Sequence, residues 1–235
     1  MLSDPVYASV LLKLARGVWL TVLVSVVAYA GACLLGLLLA VMADARWVVL
    51  RQAARLYVEV MRGVPIIVLL LYVAFVGAPA LVDAWNWLAG YLGLPALRPR
   101  DVPLLWRAVL ALTLAYSAFL AEVFRAGLLS VDRGQVEAAS ALGLGRWHRF
   151  RLVVFPQAFR TVFPALANDF VSMVKDSSLV SVLGVTDVTQ LGKVTAAGNF
   201  RYFETYNVVA LIYLTMTIGL SLGLRRVEGR LRERA

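Results

Sequence analysis

Long apolar runs divide this chain, and its charges gather between them. Gly17–Ala43, Gly63–Val82 and Thr205–Leu224 carry no charged residue, and Val102–Ala121 carries one, Arg107. A membrane-crossing helix needs about 20 mostly apolar residues, so each of the four is predicted to span a bilayer. Arg107 sits near one end of its run, where a long side chain can snorkel to the interface. Thr161–Leu183 is mostly apolar but contains Asn168, Asp169, Lys175 and Asp176. It is predicted as a fourth, polar-interrupted span in chain order, which makes five. Ala84–Asp101 holds Trp85, Trp87, Tyr91, Pro95 and Pro99 and reads as an outer loop with an interfacial aromatic belt.

Composition agrees with that pattern. Of 235 residues, 61% are hydrophobic and 16% charged, against roughly 45–50% and about 25% in soluble domains. The expected fold is an all-α membrane protein with about five transmembrane helices, forming one unit over 1–235. Gly17–Ala43 is about twice the length of a signal-peptide core, so it reads as a retained helix. The net charge of +9 fits nucleic-acid binding in other contexts. Here the apolar content assigns it to the positive-inside rule, with no nucleic-acid partner. With the N-terminus outside, 15 of the 23 basic residues fall on the inner side, including Arg225, Arg226, Arg230, Arg232 and Arg234 of the tail. The C-terminus is then cytoplasmic. Cys33 stands alone, which excludes an intrachain disulfide and a cysteine metal cluster, and reads as a packed hydrophobe. The single His148 has no ligand neighbours, so no metal site is expected.

The loop at about 128–158 contains "VEAASALGLGRWHRFRLVVFP", Val136–Pro156. Gln135–Leu142 is rich in strong helix formers and is predicted as a short helix. Gly143 and Gly145 can take backbone angles other residues avoid, which permits a turn. Trp147 and Phe150 offer aromatic anchors beside Arg146 and Arg149. From the residues alone, this elbow fits either a partner's groove or a surface of lipid headgroups.

The spacing Glu137-Ala138-Ala139, three residues, Gly143, nine residues, Val153, one residue, Phe155-Pro156 resembles the "EAA" signature of ABC-transporter permeases. Phe155 stands where the family usually has Leu. The likeness extends to the branch that imports polar amino acids. "YVEVMRGVPIIVLLLY" (Tyr57–Tyr72) resembles its second-span entry. "AYSAFLAEVFRAGLLSVDRGQVEAA" resembles its third span, with Ala126 in place of a usual Gly. Lys175-Asp176-Ser177-Ser178-Leu179 is similar to its KDTSL run. The resemblance covers roughly Gly17 to Arg226. It implies a type I ABC importer transmembrane domain in a bacterial inner membrane, with a cytoplasmic coupling helix between spans three and four. Glu137, Ala138, Ala139, Gly143, Gly145, Arg146, Trp147 and Pro156 are then the ATPase-coupling residues. The implied partners are an ABC ATPase subunit dimer that binds ATP and magnesium, a second permease (identical or a paralogue), an extracytoplasmic substrate-binding protein, a polar amino acid and membrane lipid. The chain itself has no phosphate-cradling loop and no nucleophile constellation, so it is not expected to be an enzyme or to carry a cofactor.

Polar groups at membrane depth are the binding candidates, because a charge at the bilayer centre costs at least roughly 2.5–3.5 kcal/mol. Counted from Thr161, Asp169 lies about 12 Å in, near the midplane. Its carboxylate suits an ammonium, or pairs with a neighbouring helix. Asn168 beside it can hydrogen-bond a ligand. Lys175 and Asp176 lie about 10 Å further outward, as a gate or a local ion pair, with Ser178 in the same run. Glu59 and Arg62 are three apart and can share a helix face, as a boundary pair or a cavity lining. Glu122 and Arg125 repeat that spacing and read as structural support. A stand-alone carrier or channel also explains five spans with a buried carboxylate, and a non-transporting scaffold explains the loop.

Overall fold

The computed structural model describes residues 5–233. Arg234 of the basic tail lies outside them, as do the rest of the first four and last two residues of the 1–235 unit. Every regular element among the described residues is helical. The first helix is α1 (Pro5–Ala43), followed by α2 (Val48–Gly63). A single apolar helix then comprises α3 (Ile66–Tyr72), a π-helical turn (Val73–Gly77) and α4 (Ala78–Leu92). Next come α5 (Leu104–Leu129), α6 (Arg133–Ala141), α7 (Arg146–Arg149) and a second π-helical turn (Phe150–Val154). The chain closes with α8 (Phe155–Asp176), a 3-10 turn (Ser177–Leu183), α9 (Val188–Asn199) and α10 (Tyr202–Glu233).

Among the described residues, four helical stretches are long and apolar enough to cross a membrane: Tyr7–Ala43, Ile66–Leu92, Leu104–Leu129 and Tyr202–Leu231. Each is longer than its apolar run, because flanking polar residues continue the same helix. The polar-interrupted α8 packs among them without meeting that criterion. The segment Ala84–Asp101, expected as a loop, is helical as far as Leu92. No proline interrupts it before Pro95. Gly93, at φ 66°, ends α4 with the left-handed turn that glycine takes without strain.

The core sits where α1 and α5 run side by side and parallel. Ala28, Ala32, Leu112 and Leu120 are fully buried there. Glycine lets the two backbones touch. A Cβ on Gly36 would stand 2.9 Å from the Ser117 carbonyl oxygen, and one on Gly31 would stand 3.0 Å from Thr113 Cγ2. Thr113 Oγ1 donates to the Ala28 carbonyl at 3.3 Å. At the opposite end of α1, Gly17 lets α9 approach so closely that a Cβ would lie 2.6 Å from the Val188 nitrogen. Asp187 caps α9, accepting from the Gln190 amide at 2.8 Å and from the Tyr213 hydroxyl at 3.0 Å.

Arg107 does not snorkel. It is 8% exposed and binds backbone carbonyls of three segments. Nε donates to Val102 at 3.0 Å, one terminal nitrogen to Ala74 at 2.9 Å, and the other to Pro99. Ala74 belongs to the π-helical turn, where the widened ladder leaves carbonyls to be satisfied from outside. A guanidinium can serve three acceptors at once because its five N–H donors form a rigid fork.

The elbow end of the bundle holds Ala43, Leu129 and α6. Asp132 caps α6, accepting from the Gly134 amide at 2.7 Å and the Gln135 amide at 3.3 Å, as a helix start favours. The predicted Gln135–Leu142 helix is thus present with a slightly earlier start. Gly143 ends it at φ 77°, and the Leu144 amide returns to the Ala139 carbonyl at 3.1 Å. Gly145, at φ −63°, opens α7 in ordinary extended backbone. Arg149 donates to the Ser140 hydroxyl and ties α7 to α6.

Two substitutions, each with a control, test these backbone constraints. Gly17→Ala forces a methyl into the α9 backbone and should lower thermal stability in detergent by about 1–3 kcal/mol. Gly223→Ala, with nothing within 4 Å of its added methyl, should be neutral or slightly stabilising. Gly143→Ala should cost about 1–2 kcal/mol in the left-handed turn. That would speed tryptic cleavage at Arg146, Arg149 and Arg151 by roughly 5- to 30-fold, while Gly145→Ala leaves the rate near wild type.

Candidate functional site

The polar residues of α8 divide between two faces. Gln157, Thr161, Asn168 and Lys175 are exposed, and their spacing of four or seven puts them on one stripe. Asn168 and Lys175 border a groove between α8 and α10. Its smaller compartment, of about 130 Å³, includes Asn168, Ser221, Arg225 and Glu228. Its larger one, of about 320 Å³, includes Lys175, Thr217, Ser221 and Arg225.

Asp169 points elsewhere. It lies within electrostatic reach of Tyr29 and Cys33 on α1 and of Tyr116 on α5. Tyr29 holds that seam together. Its hydroxyl donates to the Leu166 carbonyl at 2.6 Å, and its ring centroid lies 4.9 Å from that of Phe170. Asp176 accepts a 2.7 Å hydrogen bond from the hydroxyl of buried Tyr116. Lys175 and Asp176 therefore form no local ion pair, since adjacent helix positions face about 100° apart. Ser177 donates to the Val174 carbonyl at 2.7 Å and starts the 3-10 turn, in which Ser178 is half-buried.

Height follows from the neighbours. Tyr116 is the thirteenth of the 26 residues of α5, so Asp176 is held against the middle part of that helix. Asp169 lies seven residues nearer the elbow, about 10 Å by helical rise. The order along α8 is the expected one, with Asp169 nearer the elbow and Lys175 and Asp176 further from it. The chain turns through Ser177–Leu183 and Gly184, at φ 78°, and α9 covers the remaining width against α1.

A third polar group lies at the elbow end. Asp44, Arg55, Glu59, Arg62, Glu122 and Arg125 line a groove of about 350 Å³ between α1, α2 and α5. Glu122 and Arg125 pair at 2.7 Å, as their spacing predicts. Glu59 and Arg62 share the groove without pairing. Arg62 instead places its guanidinium carbon 5.7 Å from the Phe119 ring centroid, an electrostatically favourable seat. The candidates thus fall into three places: Asn168 with Lys175, Asp169 with Asp176, and Glu59 apart from both. Tyr29, Tyr116, Thr217, Ser221 and Arg225 escaped the sequence reading. The signal was present in the tyrosines, whose polar tips interrupt apolar runs and need partners when buried.

The elbow's coupling candidates lie together. Glu137 and Ala138 are exposed on α6, while Ala139 is buried under it. At the tip, Leu142 is 81% and Trp147 65% exposed. Trp147 stacks on Phe150, with centroids 6.2 Å apart, and Phe150, Phe155, Phe159 and Phe163 continue a ring ladder up α8. Pro156 opens the regular part of α8, where its missing N–H is tolerated.

Comparison with known proteins agrees with this architecture. Residues 32–233 match the family described as "Binding-protein-dependent transport system inner membrane component". The glutamine transport system permease protein GlnP of Escherichia coli strain K12 is 35% identical over 219 residues, 93% of each chain. The probable amino-acid permease protein YxeN of Bacillus subtilis strain 168 is 37% identical over 201 residues, 85% of this chain and 82% of that one. A chain from the crystal structure of an amino acid ABC transporter with histidines superposes with a TM-score of 0.78 at 33% identity, covering 97% of both. A chain of the MetNI methionine ABC transporter shares the fold, with a TM-score of 0.72 at 20% identity. The chain belongs to the binding-protein-dependent transport system inner membrane components, the permease subunits of ABC importers.

Proposed function

We propose that this permease carries polar amino acids into the cell, driven by an ABC ATPase dimer that docks on the α6–α7 elbow. The permease names of its relatives support the solute class. The observation that carries the docking is the elbow tip, where Leu142 and Trp147 stand exposed beyond a capped and glycine-terminated helix. A rigid apolar knob with arginines beside it suits a partner's groove. A stand-alone carrier or a scaffold gives the tip no such task.

In this reading the elbow and basic tail face the cytoplasm and the N-terminus faces outward. ATP and magnesium belong to the ATPase, and an extracytoplasmic binding protein delivers the solute. A second permease, identical or a paralogue, completes the pathway. Asp169 and Asp176 present carboxylates to the solute's ammonium, with Tyr116 fixing one oxygen of Asp176. Ser178 lies just beyond them in the turn, and Glu59 faces the groove at the cytoplasmic end. Nucleotide-driven closure of the ATPases pushes α6. The push passes through the Arg149–Ser140 contact into α7 and α8, which shifts the carboxylates between outward and inward access.

The test is uptake by the assembled complex of permease, ATPase and binding protein in liposomes. Uptake should require ATP, and one or more polar amino acids should stimulate hydrolysis. Trp147→Ala with Leu142→Ala should weaken ATPase docking by about 30-fold, at roughly 2 kcal/mol for a buried anchor. Asp169→Asn or Asp176→Asn should lower uptake at least tenfold while leaving docking intact. Uptake that persists without the ATPase, driven by an ion gradient, would overturn the proposal.

A further inference from the structure

The elbow-end groove between α1, α2 and α5 sets the guanidiniums of Arg55, Arg62 and Arg125 against the carboxylates of Asp44, Glu59 and Glu122, around about 350 Å³. Its charge is balanced, but its pairing is incomplete. Glu122 and Arg125 pair at 2.7 Å, with Asp44 within electrostatic reach of Arg125. Arg62 is seated over the Phe119 ring. Asp44, Glu59 and Arg55 form no ion pair among the described residues. The groove therefore offers both signs of charge to whatever fills it.

Its position fixes the surroundings. Helix α1 ends at Ala43, just before Asp44, and the next apolar helix starts at Ile66, shortly after Arg62. The groove thus lies where two spans meet the membrane surface, the level of lipid headgroups. Apolar surface leads into it from the bilayer. Leu37, Val41 and Asp44 follow at intervals of four and three and share a face of α1, with Leu37 and Val41 exposed. On α2, Arg55, Glu59 and Arg62 form one stripe, and Val49, Leu56 and Val60 form another beside it, all three apolar and exposed. Trp47, also exposed, stands at the start of that helix, as an interfacial aromatic anchor does. A headgroup held in the groove can lay an acyl chain along Val41 and Leu37.

The charge pattern selects the headgroup. A phosphodiester suits Arg55 and Arg62, because guanidinium donors match phosphate oxygens. A purely anionic lipid would also face Asp44 and Glu59, whereas a zwitterion answers both sets. Its cationic end has to donate hydrogen bonds to carboxylates, which a primary ammonium does and a trimethylammonium, lacking N–H, cannot. We propose that this groove binds phosphatidylethanolamine, with Arg55 and Arg62 on the phosphate and Asp44 and Glu59 on the ammonium. Asp44 and Arg55 take no part in the solute path proposed above, so the inference stands whichever solute the complex carries.

The experiment uses the permease–ATPase complex in detergent micelles and measures the first bound lipid by native mass spectrometry. The probes are dioleoyl phosphatidylethanolamine, its N-methyl and N,N-dimethyl derivatives, phosphatidylcholine and phosphatidylglycerol. Wild-type affinity should fall with each methyl, by about tenfold in all from phosphatidylethanolamine to phosphatidylcholine. Phosphatidylglycerol should bind no better than phosphatidylcholine. Asp44→Asn should flatten the methyl series without weakening phosphatidylglycerol, and Arg55→Gln should weaken every one of these lipids alike. Glycerophosphoethanolamine, the headgroup without chains, should bind at least about tenfold more weakly than the lipid, because it buries no chain. Equal affinity along the wild-type series, a result that needs no variant to fold, overturns the proposal. Tightest binding of phosphatidylglycerol assigns the groove to anionic lipid and also overturns it. A glycerophosphoethanolamine affinity equal to the lipid's does the same by assigning the groove to a soluble zwitterion. A methyl series that Asp44→Asn leaves unchanged places ethanolamine recognition elsewhere and sinks the proposal too.

Discussion

The architecture hangs on the close approach of α1 to its neighbours. Inside a bilayer, lipid tails are as apolar as leucine, so no hydrophobic force brings helices together. Contact must come from dense packing and from hydrogen bonds across helices. Gly31 and Gly36 let the α1 and α5 backbones meet, and Gly17 lets the start of α9 lie against α1. Hydroxyls then cross the gaps that side chains vacate. Thr113 reaches the Ala28 carbonyl, and Tyr57 reaches the Leu114 carbonyl and Ser117 from α2. The long helix α1 is thereby fixed at both ends, and α8 is seated against it through Tyr29, which bonds Leu166 and packs on Phe170.

That seating sets the chemistry of α8. One side is satisfied within the chain, through the Tyr29 contact with Leu166 and the Tyr116 contact with Asp176. The other side carries Asn168 and Lys175 beside α10, with their donors turned to open space. A membrane subunit whose own fold leaves donors unsatisfied along a groove is complementary to something that passes by or docks. The same logic applies at the opposite extreme to Arg107. It is equally charged, but three backbone carbonyls surround it, so its role is to hold the π-helical turn, α5 and the connecting loop together.

Sequence patterns disclosed the parts of this fold that are local. Apolar length marked the spans, and Gly143 with the helix formers before it marked α6. Spacing alone placed Glu122 beside Arg125. The motif likeness also pointed to the elbow as the contact with an ATPase. What the sequence left hidden depends on distant residues. Tyr116 and Asp176 are 60 positions apart, and no periodicity joins them. Apolar content likewise does not reveal that α8 ends at Asp176 and hands over to α9 through a 3-10 turn. Arg107 near a span end looked like a snorkelling residue because its carbonyl partners lie in a π-helical turn that a hydropathy pattern cannot mark. The paired face of Glu59 and Arg62 was correct in register, yet Phe119 took the guanidinium.

The crossing of α8 over α5 has a mechanical meaning. From Arg146 to Asp176 the backbone stays helical through a π-turn and the bend-prone Pro164, a rod of 31 residues and roughly 46 Å. It is pinned near Val162, whose methyl would sit 2.0 Å from a Cβ on Gly127 of α5. That point lies about 24 Å from one end and about 21 Å from the other. A fulcrum so placed makes the rod a nearly balanced seesaw. A tilt of about 5° moves the elbow and the charged tip by about 2 Å each, in opposite directions, with little gain or loss between them.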